Sequence, residues 1–137
     1  MRIFADTIIP IKNPNPPDPR YQSEFPREEK WQTTVSGWFK QIGLWSSYHT
    51  YKSTHSTAGF PDLFCLHTTL GRRIWAELKT ETGTLTESQL GWLTLLAKSG
   101  EEVYLWRPSD SSEIQDILQE AHNDAFSLRE RGFAPKR

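Results

Sequence analysis

The chain has 137 residues, enough for one domain with its own hydrophobic core. Its single cysteine, Cys65, excludes an intramolecular disulfide and a cysteine-rich zinc site. With 16 basic and 17 acidic residues the net charge is -1, which excludes a broadly basic protein that coats DNA. The sequence has no apolar run of membrane-spanning length and no signal peptide, so we expect a soluble, cytoplasmic protein.

The first 26 residues are expected to form a proline-rich arm. Six of the 17 residues from Pro10 to Pro26 are proline, which neither propagates a helix nor donates a backbone hydrogen bond. This composition predicts an extended, loosely packed leader. The folded domain is then expected over residues 27–121, followed by a polar, locally basic tail over residues 122–137.

The folded region begins with a predicted amphipathic helix over residues 27–41. Apolar side chains recur there at helical spacing, and Gly43 marks the end of the pattern. A short strand over residues 44–48 and a long polar loop over residues 50–59 follow.

Two strand patterns, over residues 61–67 and 72–79, are separated by a turn with a glycine and predict a hairpin. Thr86 and Gln89 then match a capping box that opens a helix, which Gly100 ends. A strand over residues 103–106 and a last helix, opened by a capping box at Asp110, complete the chain. The predicted order is α-β-β-β-α-β-α, an α/β fold with a mixed sheet between helices.

The hairpin brings charged side chains together. A four-residue turn over residues 68–71 places Asp62 opposite Glu77, and the strand period of two puts Lys79 on the same face as Glu77. A one-residue slip of the register would separate the carboxylates. Two adjacent carboxylates repel each other, and a hard divalent cation such as Mg²⁺ or Mn²⁺ would stabilise them. The sequence lacks a cluster of cysteine and histidine, which argues against zinc. The alternative is an ordinary strand in which Glu77 pairs with Lys79 or Arg73.

The chain resembles the VRR-NUC branch of the PD-(D/E)xK nuclease superfamily over about residues 27–107. The residues that carry this resemblance are Gly59-Phe60-Pro61-Asp62-Leu63, Glu77-Leu78-Lys79, Leu85-Thr86-Glu87-Ser88-Gln89, Trp92-Leu93, Leu96 and Gly100. The resemblance implies a restriction-endonuclease-like sheet and metal-dependent hydrolysis of DNA phosphodiesters. It also implies kinship with Holliday-junction resolvases, a setting in DNA repair or recombination, and the bacteriophage or prophage genomes in which small members are typical.

By the same resemblance, Asp62, Glu77 and the backbone carbonyl of Leu78 would bind the metal, and Lys79 would be the catalytic lysine. Gln89 would replace the helix glutamine of the family near the site, although it has a second reading as a member of the capping box alone. The first helix would contribute one more site residue, for which Gln32 is the best match and Glu28 the second candidate.

Several polar residues are candidates for contact with DNA. Side chains that could line the substrate channel or meet phosphate are His49, Lys52, Ser53, Ser56, Arg72, Arg73 and Arg107, with Tyr48 and Tyr51 available to stack on bases. The alternative for each is an ordinary solvated side chain.

The balanced net charge indicates how the chain would recognise DNA. Affinity for plain duplex should be modest, so we expect selection of a flap, branch or junction, or a partner protein that delivers the DNA. Junction-resolving relatives act as dimers, which implies a homodimer. Two alternatives are a non-catalytic nucleic-acid-binding module and a carboxylate-pair glycosidase; the complete Asp62, Glu77 and Lys79 set disfavours both.

Overall fold

A computed structural model describes residues 1–50, 57–130 and 132. Within these ranges, the strands are β1 (Arg2–Ile3), β2 (Trp45–His49), β3 (Leu63–His67), β4 (Arg73–Leu78) and β5 (Glu102–Trp106). The helices are α1 (Glu28–Ile42), α2 (Glu87–Lys98) and α3 (Ser111–Glu130), with short 3-10 helices at Pro19–Glu24 and Pro108–Asp110. None of the described helices is long and apolar enough to cross a membrane.

The strands form one mixed sheet in the order β1-β5-β4-β3-β2. Strands β2, β3 and β4 are antiparallel neighbours, whereas β4 and β5 are parallel because α2 carries the chain from one to the other. The predicted α/β class and the mixed sheet flanked by helices are confirmed.

Helices cover both faces of the sheet, and each face has its own apolar cluster. On one face, α1 and α3 bury side chains such as Trp31, Phe39 and Leu118 against the strands. On the other, Leu93 of α2 packs on Val103 of β5. The residue before β3, the end of β4 and the start of α2 therefore meet on the α2 face, and the candidate site lies there.

The N-terminal segment and the last helix differ from the prediction. Ile3 pairs with β5 and is 1% exposed, and Ile9 is also buried, so the first residues of the expected arm pack into the domain. Two residues are too few to show strand alternation, which is why the pattern did not predict β1. Helix α3 continues past Ala121 to Glu130 and buries Ala125, so much of the expected tail is helical.

The capping box expected at Asp110 predicts the start of α3 correctly, at Ser111, but its hydrogen bonds differ. The Asp110 carboxylate accepts a hydrogen bond from the backbone N–H of Arg107 and closes the 3-10 turn, and α3 begins one residue later. The proline at position 108 favours this turn because its fixed φ suits the first position of a helical turn.

Candidate functional site

The hairpin has the register that the turn length predicts. Leu63 pairs with Ala76 and Leu66 pairs with Arg73, so extending the register by one residue sets Asp62 against Glu77. Strand β3 begins directly after Asp62, and the Asp62 Oδ2 atom accepts a hydrogen bond of 2.9 Å from the backbone N–H of Leu78. At the point where β3 and β4 separate, the Asp62 carboxylate thus accepts the hydrogen bond that a backbone carbonyl of the neighbouring strand would otherwise accept.

The neighbouring strand end fixes the backbone at Asp62. The backbone N–H of Thr50 donates to the Asp62 carbonyl at 2.8 Å, and the Thr50 hydroxyl donates to the Pro61 carbonyl at 2.8 Å. Because Pro61 has no backbone N–H, its carbonyl is the backbone group through which a hydrogen bond can fix it. The carboxylate of Asp62 therefore projects from a tethered backbone.

Gln89 closes the capping box at Thr86 and also contacts Glu77. Its Oε1 accepts from the backbone N–H of Thr86 at 2.9 Å, and the Thr86 hydroxyl accepts from the Gln89 N–H at 3.2 Å, which completes the predicted capping box. Its Nε2 donates to Glu77 Oε1 at 3.1 Å. The cap thereby orients an amide that reaches a carboxylate of the sheet.

Glu77 is a buried carboxylate with an incomplete set of partners. Its side chain is 1% exposed, Gln89 satisfies Oε1, and Oε2 has no hydrogen-bond partner among the described residues. Desolvation, followed by the negative charge of Asp62, raises the pKa of Glu77 to about 9. A cation beside Oε2 would remove both penalties, so this atom fits a metal ligand.

The backbone at Leu78 offers a further oxygen. The next residue, Lys79, donates its N–H to the Trp106 carbonyl of β5 at 3.0 Å. Since backbone polar groups alternate in direction along a strand, the N–H and C=O of Leu78 point the other way, toward Asp62. Within the described residues no group of three or more histidine, cysteine or acidic side chains is placed so that it could hold a metal ion. Two carboxylates and one carbonyl suit a hard divalent cation that completes its shell with water and substrate oxygens.

Lys79 lies beside this pair of carboxylates. Its positive charge opposes the rise in the Glu77 pKa. The ammonium forms no hydrogen bond or ion pair with any residue of the ranges 1–50 and 57–130. Over the same ranges Glu77 forms no ion pair, and Arg73 pairs with Glu101 at 3.2 Å. The arrangement differs from the salt-bridged strand that was the alternative.

A groove of about 710 Å³ opens beside Asp62, between α1 and the end of β2. Both first-helix candidates, Glu28 and Gln32, line it together with His49. The His49 Nε2 atom is hydrogen-bonded to the hydroxyl of Ser36, a groove residue that the sequence analysis missed. Ser36 lies four residues after Gln32 on the same side of α1, and this spacing is the signal that could have found it.

Other candidates lie away from the groove or outside the described ranges. Arg72 forms a paired contact with Glu102 and lies five residues along β4 from Glu77, a separation of about 16 Å by strand rise. Arg73 shares that end of the sheet, and Arg107 is buried, so the structure does not bring these three arginines to the site. Tyr48 is 63% exposed on the edge strand. Lys52, Ser53 and Ser56, with Tyr51, lie outside the described residues.

A mixed sheet that sets a Pro-Asp carboxylate against a Glu-x-Lys strand, with an amide from the following helix, is the arrangement of a PD-(D/E)xK-type nuclease domain. Comparison with protein families agrees: the profile of the VRR-NUC domain matches residues 17–110. The chain belongs to the VRR-NUC family, whose domain is a nuclease domain. Neither the curated proteins nor the solved structures contain a significant match.

Proposed function

We propose that this chain is an Mg²⁺- or Mn²⁺-dependent endonuclease that hydrolyses DNA phosphodiester bonds. The observation that carries the proposal is the pairing of Asp62 with a buried Glu77 whose Oε2 has no partner in the part of the chain that the structure describes. A buried carboxylate that lacks a proton or a cation is costly, so proteins pair such groups or use them to bind metal. The VRR-NUC family membership supplies the reaction class.

Asp62, Glu77 and the Leu78 carbonyl are the groups that would hold the cation. When bound there, a divalent ion polarises a phosphate oxygen and lowers the pKa of a coordinated water. The chain's own contribution is to fix these oxygens: Leu78 holds Asp62 through its N–H, and Gln89 holds Glu77 through its amide. Fixed ligands lose little freedom when the substrate binds.

Lys79 would act on the reacting phosphate itself. Its ammonium, which has no partner in the ranges 1–50 and 57–130, can orient the attacking water or offset the extra negative charge of the transition state. The groove beside Asp62 would take the strand that is cut, and Gln32, Glu28 and His49 would contact it there.

The charge distribution favours recognition of DNA structure over general affinity for duplex. The net charge is -1, and the described part of α3 carries exposed Glu113, Asp116 and Glu120, which repel phosphate. We propose a flap, branch or junction as substrate, cut by a homodimer or with a partner protein that delivers it. Sedimentation of the protein with and without a four-way junction tests the dimer.

Cleavage of labelled DNA tests the proposed function. The substrates are linear, flapped and four-way-junction DNA, each with Mg²⁺, Mn²⁺ or EDTA, and the variants are Asp62→Asn and Lys79→Met. Asp116→Asn, an exposed change on α3, is the matched control. We expect cutting with either metal, none with EDTA, loss in both site variants, and full activity in the control. DNA binding without cutting under all conditions would contradict the proposal and favour the non-catalytic binding module.

A further inference from the structure

The turn that directly follows Lys79, residues 80–83, is held by two charged side chains that the site does not use. Arg107, the residue after β5, is 5% exposed, and Glu81, within the turn itself, is 3% exposed. Buried charged groups are rare unless they are hydrogen-bonded, so both should have a structural or functional task.

Arg107 fixes both ends of the turn. Its Nη1 atom donates to the carbonyl of Thr80 at 2.5 Å and to the carbonyl of Gly83 at 2.8 Å. The backbone of Arg107 is itself fixed, because its N–H donates to the Asp110 carboxylate at 2.9 Å. One guanidinium group therefore bridges the first and last carbonyls of the turn, which is also closed by the Gly83 N–H donating to the Thr80 carbonyl at 3.3 Å.

Glu81 ties the middle of the same turn to two other segments. Its Oε1 accepts from the backbone N–H of Ser109 at 2.5 Å, and its Oε2 accepts from Asn13 Nδ2 at 2.9 Å. Asn13 Nδ2 also donates to the Glu81 carbonyl at 2.9 Å. The turn is thus fastened to the segment after β5 and to the N-terminal segment.

These contacts determine where the Lys79 side chain can go. A Cβ atom built on Gly83 would lie 3.4 Å from Lys79 Cδ, so the end of the turn lies close to the stem of the lysine. The Lys79 N–H is fixed to Trp106, and its ammonium has no partner in the described ranges. The position of the head group therefore depends on the backbone and on the turn rather than on contacts of its own.

We propose that Arg107 and Glu81 are positioning residues for Lys79: they clamp the 80–83 turn against the lysine stem and so aim its ammonium at the candidate metal site. The inference rests on the proposed function, because aiming Lys79 matters to activity only if Lys79 acts on the phosphodiester. A small misplacement of a reacting group by a distant change is enough to slow catalysis strongly.

A double-mutant cycle in the full chain tests the proposal. Arg107→Lys, Glu81→Gln and Asn13→Ala are each made in the wild type and in a Lys79→Met background, and cleavage is measured well below the unfolding temperature. We expect Arg107→Lys to lower kcat by about 10- to 100-fold while KM changes by less than about twofold. In the Lys79→Met background the same change should alter the residual rate by less than about twofold, because its effect passes through Lys79.

Leu118→Ala, a core change on the opposite face of the sheet, is the control for lost stability. It should leave kcat unchanged at a comparable unfolding temperature. An equal loss of kcat in both backgrounds, or no loss in either, overturns the proposal. If Arg107→Lys does not fold, Glu81→Gln and the milder Asn13→Ala complete the cycle.

Amide hydrogen exchange of residues 79–83 separates failure of this proposal from failure of the proposed function. Arg107→Lys should accelerate exchange in the turn, whereas Leu118→Ala should not do so selectively. A wild type that never cuts DNA contradicts the proposed function, and the exchange result then still decides whether the clamp exists. Unchanged exchange in Arg107→Lys overturns the clamp whatever the activity.

Discussion

Gly59 and Ser88 approach each other through backbone atoms, and no side chain fits between them. A Cβ atom on Gly59 would lie 2.3 Å from the Ser88 carbonyl carbon and 2.6 Å from the Gln89 nitrogen. Gly59 also has a φ of +78°, in the region that favours glycine. The loop that leads into Asp62 is thereby pressed against the helix turn that bears Gln89, which explains why the motif has a glycine three residues before its aspartate.

We expect Gly59→Ala to be destabilising and to impair cleavage. The left-handed φ alone costs an alanine about 1–2 kcal/mol, and the clash with Ser88 should add about 1–3 kcal/mol. Gly71→Ala is the control, since Gly71 also has a positive φ, +67°, but has nothing within 4 Å of its Cβ position. Urea unfolding of both variants, with cleavage rates, measures the difference. Equal destabilisation by the two changes would mean that the close approach to Ser88 is unimportant.

The central pair of the site was predictable because local rules fix it. A four-residue turn and the strand period of two together determine which residue faces Asp62, and the structure has that register. The capping box at Thr86 was predictable for the same reason, since all of its atoms lie within four residues. The spacing did not predict that Gln89 also reaches Glu77, because that contact depends on how α2 packs on the sheet.

The contacts that the sequence could not predict join distant parts of the chain. Arg107 bonds to carbonyls more than 20 residues away, and Asn13 reaches Glu81. Strand β1 depends on a partner strand about 100 residues later and carries no pattern of its own. Nothing in the local sequence around Arg72 shows that Glu102 will neutralise it. Such arginines look like free phosphate contacts until the fold supplies their partners.

The buried Glu77 should make stability depend on pH and metal together. Its folded-state pKa, about 9, exceeds the ordinary value of 4.5, so protonation of this group stabilises the metal-free fold. That contribution is complete below the ordinary value and is lost as the pH rises toward 9. We expect Mn²⁺ to raise the melting temperature by about 3 °C or more at pH 8.5 and by less at pH 6. Thermal unfolding with Mn²⁺ or EDTA at both pH values checks this.

Glu77→Gln tests whether Glu77 is the group responsible. The amide imitates the protonated carboxyl, so the metal-free variant should be more stable than the metal-free wild type at pH 8.5 and should no longer respond to Mn²⁺. Asp116→Asn should behave as the wild type does. A response to Mn²⁺ that survives Glu77→Gln unchanged would place the metal elsewhere.

Two substitutions separate the cap at Thr86 from the contact between Gln89 and Glu77. Gln89→Met removes both the cap acceptor and the donor to Glu77, whereas Thr86→Ala weakens only the cap. We expect each change to cost about 1 kcal/mol of stability, with a strong loss of cleavage in Gln89→Met alone. Chemical denaturation and cleavage rates measure the two effects. Similar cleavage rates in the two variants would show that Gln89 serves only as a cap.

The far end of the hairpin should contribute to stability without contributing to cleavage. The Glu102 carboxylate accepts from Arg72 Nε at 2.8 Å, from Arg72 Nη2 at 2.6 Å and from the Tyr104 hydroxyl at 2.7 Å. Burial alone would raise the pKa of Glu102, but the hydrogen bonds from Arg72 and Tyr104 and the charge of Arg72 hold it below the ordinary value of 4.5. The ionised form therefore stabilises the fold above that pH, and its contribution is lost as the pH falls through the lowered pKa.

Glu102→Gln should accordingly lower the free energy of unfolding by about 1–3 kcal/mol at pH 7. The difference from the wild type should be smaller at a second, acidic pH, because the contribution of the wild-type carboxylate is lost as the pH falls through its lowered pKa. Because Glu102 faces Arg72 and lies away from Asp62 and Glu77, the cleavage rate at saturating DNA should not change. Urea unfolding at the two pH values and a cleavage assay check both parts. A loss of cleavage in the folded variant would show that this end of the sheet takes part in binding the substrate, as the sequence had suggested for Arg72.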